Sequence, residues 1–133
     1  MAKLHGHFFA GEAGELAGVS GNTIGQWARW GYIRPSQSSA LPHVYSVEDV
    51  AEAAIVHTLL ERGVRHRDIR RAIERLGGYG DWPLSEAPLA TTPEGRIVLR
   101  ENGALYALSP RGWQLMAAPP AVEAVRLRLR RGG

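Results

Sequence analysis

The chain has 133 residues, 44% of them hydrophobic, enough for one domain core or for a small domain with an appendage. It contains no cysteine, which removes disulfides, thiolate zinc sites, thiol redox sensing and cysteine nucleophiles. The net charge is +3, and every basic side chain except Lys3 is an arginine, a balance that permits nucleic-acid binding and equally fits ordinary surface solvation. No apolar run approaches the roughly 18 residues of a membrane span, and the amino terminus MAKLHGHFFAGEAGE lacks a signal peptide's apolar stretch. A cytoplasmic protein without membrane contact is expected.

Glu12 to Ala17 suits a short first helix, with Phe8 and Phe9 as entering anchors and Leu16 and Val19 toward a core; Gly11 and Gly14 weaken it. The segment Gly18 to Ser36, GVSGNTIGQWARWGYIRPS, reads as the turn and second helix of a helix-turn-helix. Gly18 accommodates a tight turn and Ser20 is a good N-cap, so the second helix starts there. Ile24 and Trp27, three apart, point back onto the first helix, while Asn22, Gln26 and Arg29 lie on the other side. Gly31 suits the C-terminus and Pro35 forbids continuation, so the helix is about ten residues long. Trp27 and Trp30 fit core and rim better than base-stacking platforms.

Ile33 to Tyr45, IRPSQSSALPHVY, has two prolines and three serines between strand-compatible ends and fits a loop-tipped β-hairpin, a wing. Ser46 then caps a helix, with Asp49 completing a reciprocal box, and Ala53, Val56, Leu59 and Leu60 recur at helical spacing up to Gly63. A further helix from about Arg65 stripes Ile69, Ala72, Ile73 and Leu76 on one face. Arg65, Arg67, Arg70, Arg71 and Arg75 fit either flanking phosphate contacts or a face salt-bridged by Asp68 and Glu74. Gly77-Gly78 ends that helix, and the glycine-rich GGYGDWP places a boundary there.

Beyond it, RIVLRENGALYAL sets strand formers on either side of Asn102-Gly103, a pair suited to a type I′ turn, so a hairpin from Arg96 to Leu108 is expected. Leu89 to Thr92 adds a third strand of a small meander. In the tail AVEAVRLRLRRGG the alternation of Val125, Leu127 and Leu129 with arginines fits a strand, and Val122, Val125 and Leu129 fit a helix; the helix is preferred. The expected fold class is α+β: a winged helix-turn-helix, mostly helical with a β wing, over residues 1–77; a linker at 78–88; and a β-hairpin or meander module at 89–133 ending in a short basic element.

Asn and Gln can pair bidentately with adenine in the major groove, which makes Asn22, Thr23 and Gln26 candidate base readers. Arg29 and Arg34 are better suited to phosphate, the commonest target of protein–DNA hydrogen bonds. With Ser20 at the helix start, Gln37 and His43 in the wing, and Tyr45 at its base, these nine residues form the expected interface with double-stranded DNA. His5 and His7 alternate near the chain start, and His43, His57 and His66 fall at no metal-ligand spacing. No metal or cofactor is implied. Without a phosphate loop, nucleophile elbow or paired acid and base, catalysis is not expected either.

Taken in order, these elements resemble the MerR-like winged-helix DNA-binding domain over roughly residues 7–77. Gly11-Glu12 resembles that family's Gly-Glu at its first helix, Gly18-Val19-Ser20 its turn, and Thr23-Ile24 its Thr-Ile or Thr-Val. Gly31 with Pro35 resembles its exit from the recognition helix, Tyr45-Ser46 with Glu48-Asp49 its Tyr-Ser-Glu-Glu-Asp, and Gly63-Val64 through Ile69 its Gly-Phe-Ser-x-x-Glu-Ile. The resemblance implies a transcription regulator, and repression by occlusion is the simplest mode. Gly25 stands where the family has an arginine, Gln26-Trp27 replaces its paired tyrosines as in excisionase-type relatives, and Leu41-Pro42-His43 replaces Gly-Tyr-Arg in the wing. The family's long dimerisation helix has no counterpart heptads after Leu76, so a homodimer would use the hairpin module or the basic end. That module also resembles the carboxyl-terminal part of small antitoxins, which implies a toxin partner held through residues 84–133 as an alternative. An excisionase-like DNA-bending protein is a second alternative.

Overall fold

The computed structural model describes residues 6–118, 121–127 and 129. His5 and the tail arginines Arg128, Arg130 and Arg131 lie outside the described residues. In chain order the elements are α1 (Ala10–Ala17), α2 (Gly21–Trp30), α3 (Val47–Glu61), α4 (His66–Arg75), a 3-10 turn (Gly77–Tyr79), α5 (Pro83–Glu86), and strands β1 (Leu89–Thr91), β2 (Ile97–Glu101), β3 (Ala104–Ser109), β4 (Gly112–Leu115) and β5 (Glu123–Ala124). The fold class is α+β, as expected. The described chain divides within α3 into two compact units, residues 6–57 with 127 and 129, and residues 58–126. No helix among the described residues is long and apolar enough to cross a membrane.

In the first unit, α1 begins two residues before the expected start, after Phe9, whose N–H donates to Glu12 Oε1 at 3.3 Å. Phe9 is not a core anchor: its ring is 54% exposed, and the buried face of α1 is Ala13, Gly14 and Ala17. These small residues let α1 and α2 approach closely. A Cβ on Gly14 would stand 2.5 Å from the Val19 carbonyl oxygen, and one on Gly21 would stand 3.1 Å from the Gly11 Cα. Gly14, expected to weaken the helix, is therefore what admits the turn beside it. Ser46 and Asp49 form the expected reciprocal cap of α3, with Ser46 N–H donating to Asp49 Oδ2 at 2.9 Å and Asp49 N–H to Ser46 Oγ at 3.2 Å.

In the second unit, the strands form one antiparallel sheet in the order β4-β3-β2-β1-β5. Asn102 (φ 52°) and Gly103 (φ 76°) make the expected hairpin turn, with Leu99 opposite Tyr106 and Glu101 opposite Ala104. Ile97, Val98 and Leu99 are all buried, so β2 is covered on both faces and reads as an unbroken apolar run. Segment 78–88, expected as a linker, instead carries part of the 3-10 turn and α5, whose Leu84 is 1% exposed. The expected tail helix is replaced at Glu123–Ala124 by the edge strand β5. Arg62 holds that strand: its guanidinium donates to Thr91 Oγ1 at 3.1 Å and to the carbonyls of Glu123 and Ala124 at 2.9 and 3.0 Å. Those contacts satisfy polar groups that a helical tail would have paired within itself.

Candidate nucleic-acid interface

The N-cap geometry of α2 follows from its sequence. Ser20 has extended backbone angles, and its Oγ accepts from the Thr23 N–H at 3.1 Å while sharing a hydrogen bond of 3.0 Å with Thr23 Oγ1. At the other end Gly31 takes the left-handed conformation (φ 80°) that closes the helix, and its N–H returns to the last turn. Between the caps, Ile24 and Trp27 are buried and fix the rotation of α2 about its axis. Fixing that rotation decides what the other side shows: Asn22, Gln26 and Arg29 are all exposed. Trp27 and Trp30 are core and rim as expected, Trp30 being 44% exposed with its ring edge-on to the buried Tyr32 at 5.7 Å.

Gly25 lies one turn before Arg29 on α2. The one heavy atom within 4 Å of a Cβ built there is Arg29 Nη1, at 3.7 Å, so the guanidinium folds back over the glycine. Residues 10–76, half of the chain, match the family model described as MerR HTH family regulatory protein. The chain belongs to that family. No curated protein and no solved structure matches it. MerR-type helix-turn-helix proteins are DNA-binding transcription regulators, and α1, its turn and α2 are that motif here.

The segment expected to form a wing takes a spare form in this chain. In place of a hairpin with regular strands there are two isolated bridges, Ser38 to Val44 and Phe8 to Tyr45. The N–H groups of Gln37 and Ser38 both donate to the Val44 carbonyl at 3.1 Å, and Val44 N–H returns to Ser38 at 3.0 Å, enclosing an exposed tip at residues 39–42. Two prolines and three serines leave too few ladder donors and strand formers for more. Gln37 is half-buried and its Nε2 donates to the Gly6 carbonyl at 2.8 Å. Arg34 is exposed just beyond the buried Ile33.

Tyr45, expected at the interface, is 1% exposed, and its hydroxyl is buried without a hydrogen-bond partner among the described residues. The half-buried His43 packs against it edge-on at 6.4 Å, and His43 Nδ1 is likewise buried and unpartnered. Both rings thus lie beneath the loop of residues 37–45 instead of on its outer face. Burial pushes the Tyr45 hydroxyl above its ordinary pKa, the Asp49 carboxylate adds to the rise, and the Arg29 charge opposes it.

A single buried carboxylate, with no sequence signal of an interface role, anchors the loop between α2 and α3. Asp49, 1% exposed, accepts on Oδ2 from the Ser36 N–H at 2.8 Å and the Ser36 hydroxyl at 2.6 Å, besides its cap bond from Ser46. Ser36 and Ser46 hydroxyls also share a hydrogen bond of 2.8 Å. One carboxylate therefore ties the segment that follows α2 to the start of α3. Ser46 and Asp49 were visible as a cap, whereas Ser36, 13 residues before Asp49, carries no local signal of the pairing.

Proposed function

We propose that α2 enters the major groove of double-stranded DNA, with Asn22 and Gln26 reading base edges, Arg29 and Arg34 on phosphates, and the Gln37–His43 loop over the adjacent backbone or minor groove. The observation that carries this reading is the polar face of α2, exposed along Asn22, Gln26 and Arg29 and held in rotation by buried Ile24 and Trp27. Ser20 and Thr23 stand at the N-terminus of α2, where backbone N–H groups favour a phosphate. Arg29, folded over Gly25, supplies positive charge at the position where relatives carry an arginine side chain. Tyr45 serves from below, by supporting the wing. The protein acts in the cytoplasm as a repressor by occlusion, two copies engaging two half-sites.

The test is to mix the purified protein with sheared source DNA and excess nonspecific competitor at physiological salt, then sequence the bound fragments. Enrichment of one or a few sites with symmetric halves supports the reading; recovery without enrichment contradicts it. A second reading, DNA bending in the manner of an excisionase, is favoured by Leu41, 85% exposed at the wing tip, because apolar side chains at such tips can wedge between base steps. Bending assays on a recovered site decide it: a kink lost in Leu41→Ser supports the wedge, and unbent DNA with the wild-type protein rules it out.

A further inference from the structure

In the second unit, far along the chain from α2, a recess of about 280 Å³ opens where the first turns of α4 lie over the sheet. Its floor is apolar: Ile97 and Leu108, from the neighbouring strands β2 and β3, are 1% and 7% exposed. Its rim is cationic. Arg67 and Arg71, one turn apart on α4, line it together with Arg96, the residue before β2, with Ser109 and Pro110 at the end of β3.

The arginines differ in what they already do. Arg71 Nη1 donates to Asp68 Oδ1 at 3.0 Å, which holds its guanidinium in place beside the recess. The guanidinium groups of Arg67 and Arg96 make no hydrogen bond or ion pair among the described residues, and both residues are exposed. Three guanidiniums and one carboxylate leave the lining with an excess of two positive charges. A phosphate monoester carries about −1.5 to −2 charge near neutral pH and offers three acceptor oxygens, which suits guanidinium donors well.

We propose that this recess binds a small phosphate ester, its phosphate held by Arg67, Arg71 and Arg96 and its compact apolar part seated on Ile97 and Leu108. A duplex backbone fits the place poorly, because its phosphates run along a convex ridge with no apolar group to fill the floor. Inorganic phosphate alone leaves the floor open to water. The ligand therefore needs both halves, and the volume restricts it to a molecule smaller than a typical drug-sized ligand. The site shares no residue with the exposed face of α2 and stands whether or not that face binds DNA.

Titration calorimetry of the full chain with phenyl phosphate, inorganic phosphate and phenol tests the assignment. Saturable binding of phenyl phosphate, at least about tenfold tighter than either fragment, is the expected result. Arg67→Gln and Arg96→Gln, both at exposed positions, are each expected to weaken it by about tenfold while leaving the thermal unfolding midpoint in place. Absence of saturable phenyl phosphate binding, equal binding of phenol, or undiminished binding in the double variant overturns the proposal. So does a loss confined to DNA affinity in those variants, which would assign the arginines to a nucleic-acid backbone.

Discussion

Asn22, Gln26 and Arg29 share one exposed face, and under the proposed function their substitutions should separate in kind. Replacing Asn22 or Gln26 with Ala is expected to relax discrimination at particular base pairs by about 1–3 kcal/mol each. Replacing Arg29 with Gln is expected to weaken binding to all sequences alike and to shallow the dependence of log affinity on log salt by about one unit. Binding isotherms across a salt series, on a selected site and on its scrambled version, measure both. Tyr45 gives the opposite kind of test, because its buried hydroxyl has no hydrogen-bond partner among the described residues. Tyr45→Phe removes an unsatisfied polar group and is expected to leave stability unchanged or raise it by about 1 kcal/mol in denaturant unfolding. The raised Tyr45 pKa means the folded state holds this proton more tightly than the unfolded state. Its contribution is fully present below pH 10 and is lost as pH rises through the folded value. The Phe variant should lose that part of the alkaline fall and keep the part from Tyr79, whose hydroxyl is raised chiefly by its hydrogen bond to Glu101.

At the scale of elements, what could be read locally was what local chemistry dictates. Ser20 and Gly31 bounded α2, Ser46 with Asp49 started α3, and Asn102-Gly103 turned β2 into β3, each through interactions spanning a few residues. The edge strand β5 escaped because its partners are distant in the chain: Glu123–Ala124 is a strand because Thr91, Ala90 and Arg62 receive it. The strand β4 pairs locally, Ser109 opposite Gly112 across the Pro110-Arg111 turn, and carries no strong strand pattern of its own. Two glycines of α1 make the distinction measurable. Gly11→Ala, with nothing within 4 Å of the new Cβ, is expected to stabilise by about 0.5–1 kcal/mol through helix propensity. Gly14→Ala, which would press on the Val19 carbonyl, is expected to destabilise by about 1–3 kcal/mol, both read from thermal or denaturant unfolding. Asp49→Ala strands the Ser36 and Ser46 N–H groups and is expected to cost about 1.5–3 kcal/mol while also loosening the wing.

Across the whole molecule, sequence and packing draw different lines. Composition sets a boundary after Gly77, the family match ends at residue 76, and contacts divide the chain at His57 and Thr58. The helix α4 accounts for the difference. Its pattern belongs with the family motif, yet Trp113 Nε1 donates to the Arg75 carbonyl at 3.2 Å and Gly112 packs beside the Arg75 guanidinium. A fragment of residues 1–77, stripped of the sheet, is accordingly expected to melt below the full chain. The polar face of α2 was legible because its cap, its period and its stop all lie within Ser20–Gly31. The supports beneath the wing, Asp49 with Ser36 and the Tyr45–His43 pair, became visible only once the chain was folded. The most direct measurement is competition between a selected DNA site and its scrambled version, at physiological salt, for the wild type and for Gln26→Ala. The expected result is a clear wild-type preference that shrinks in the variant while affinity for the scrambled duplex holds. No wild-type preference, or equal losses on both duplexes, would contradict α2 as the reading element.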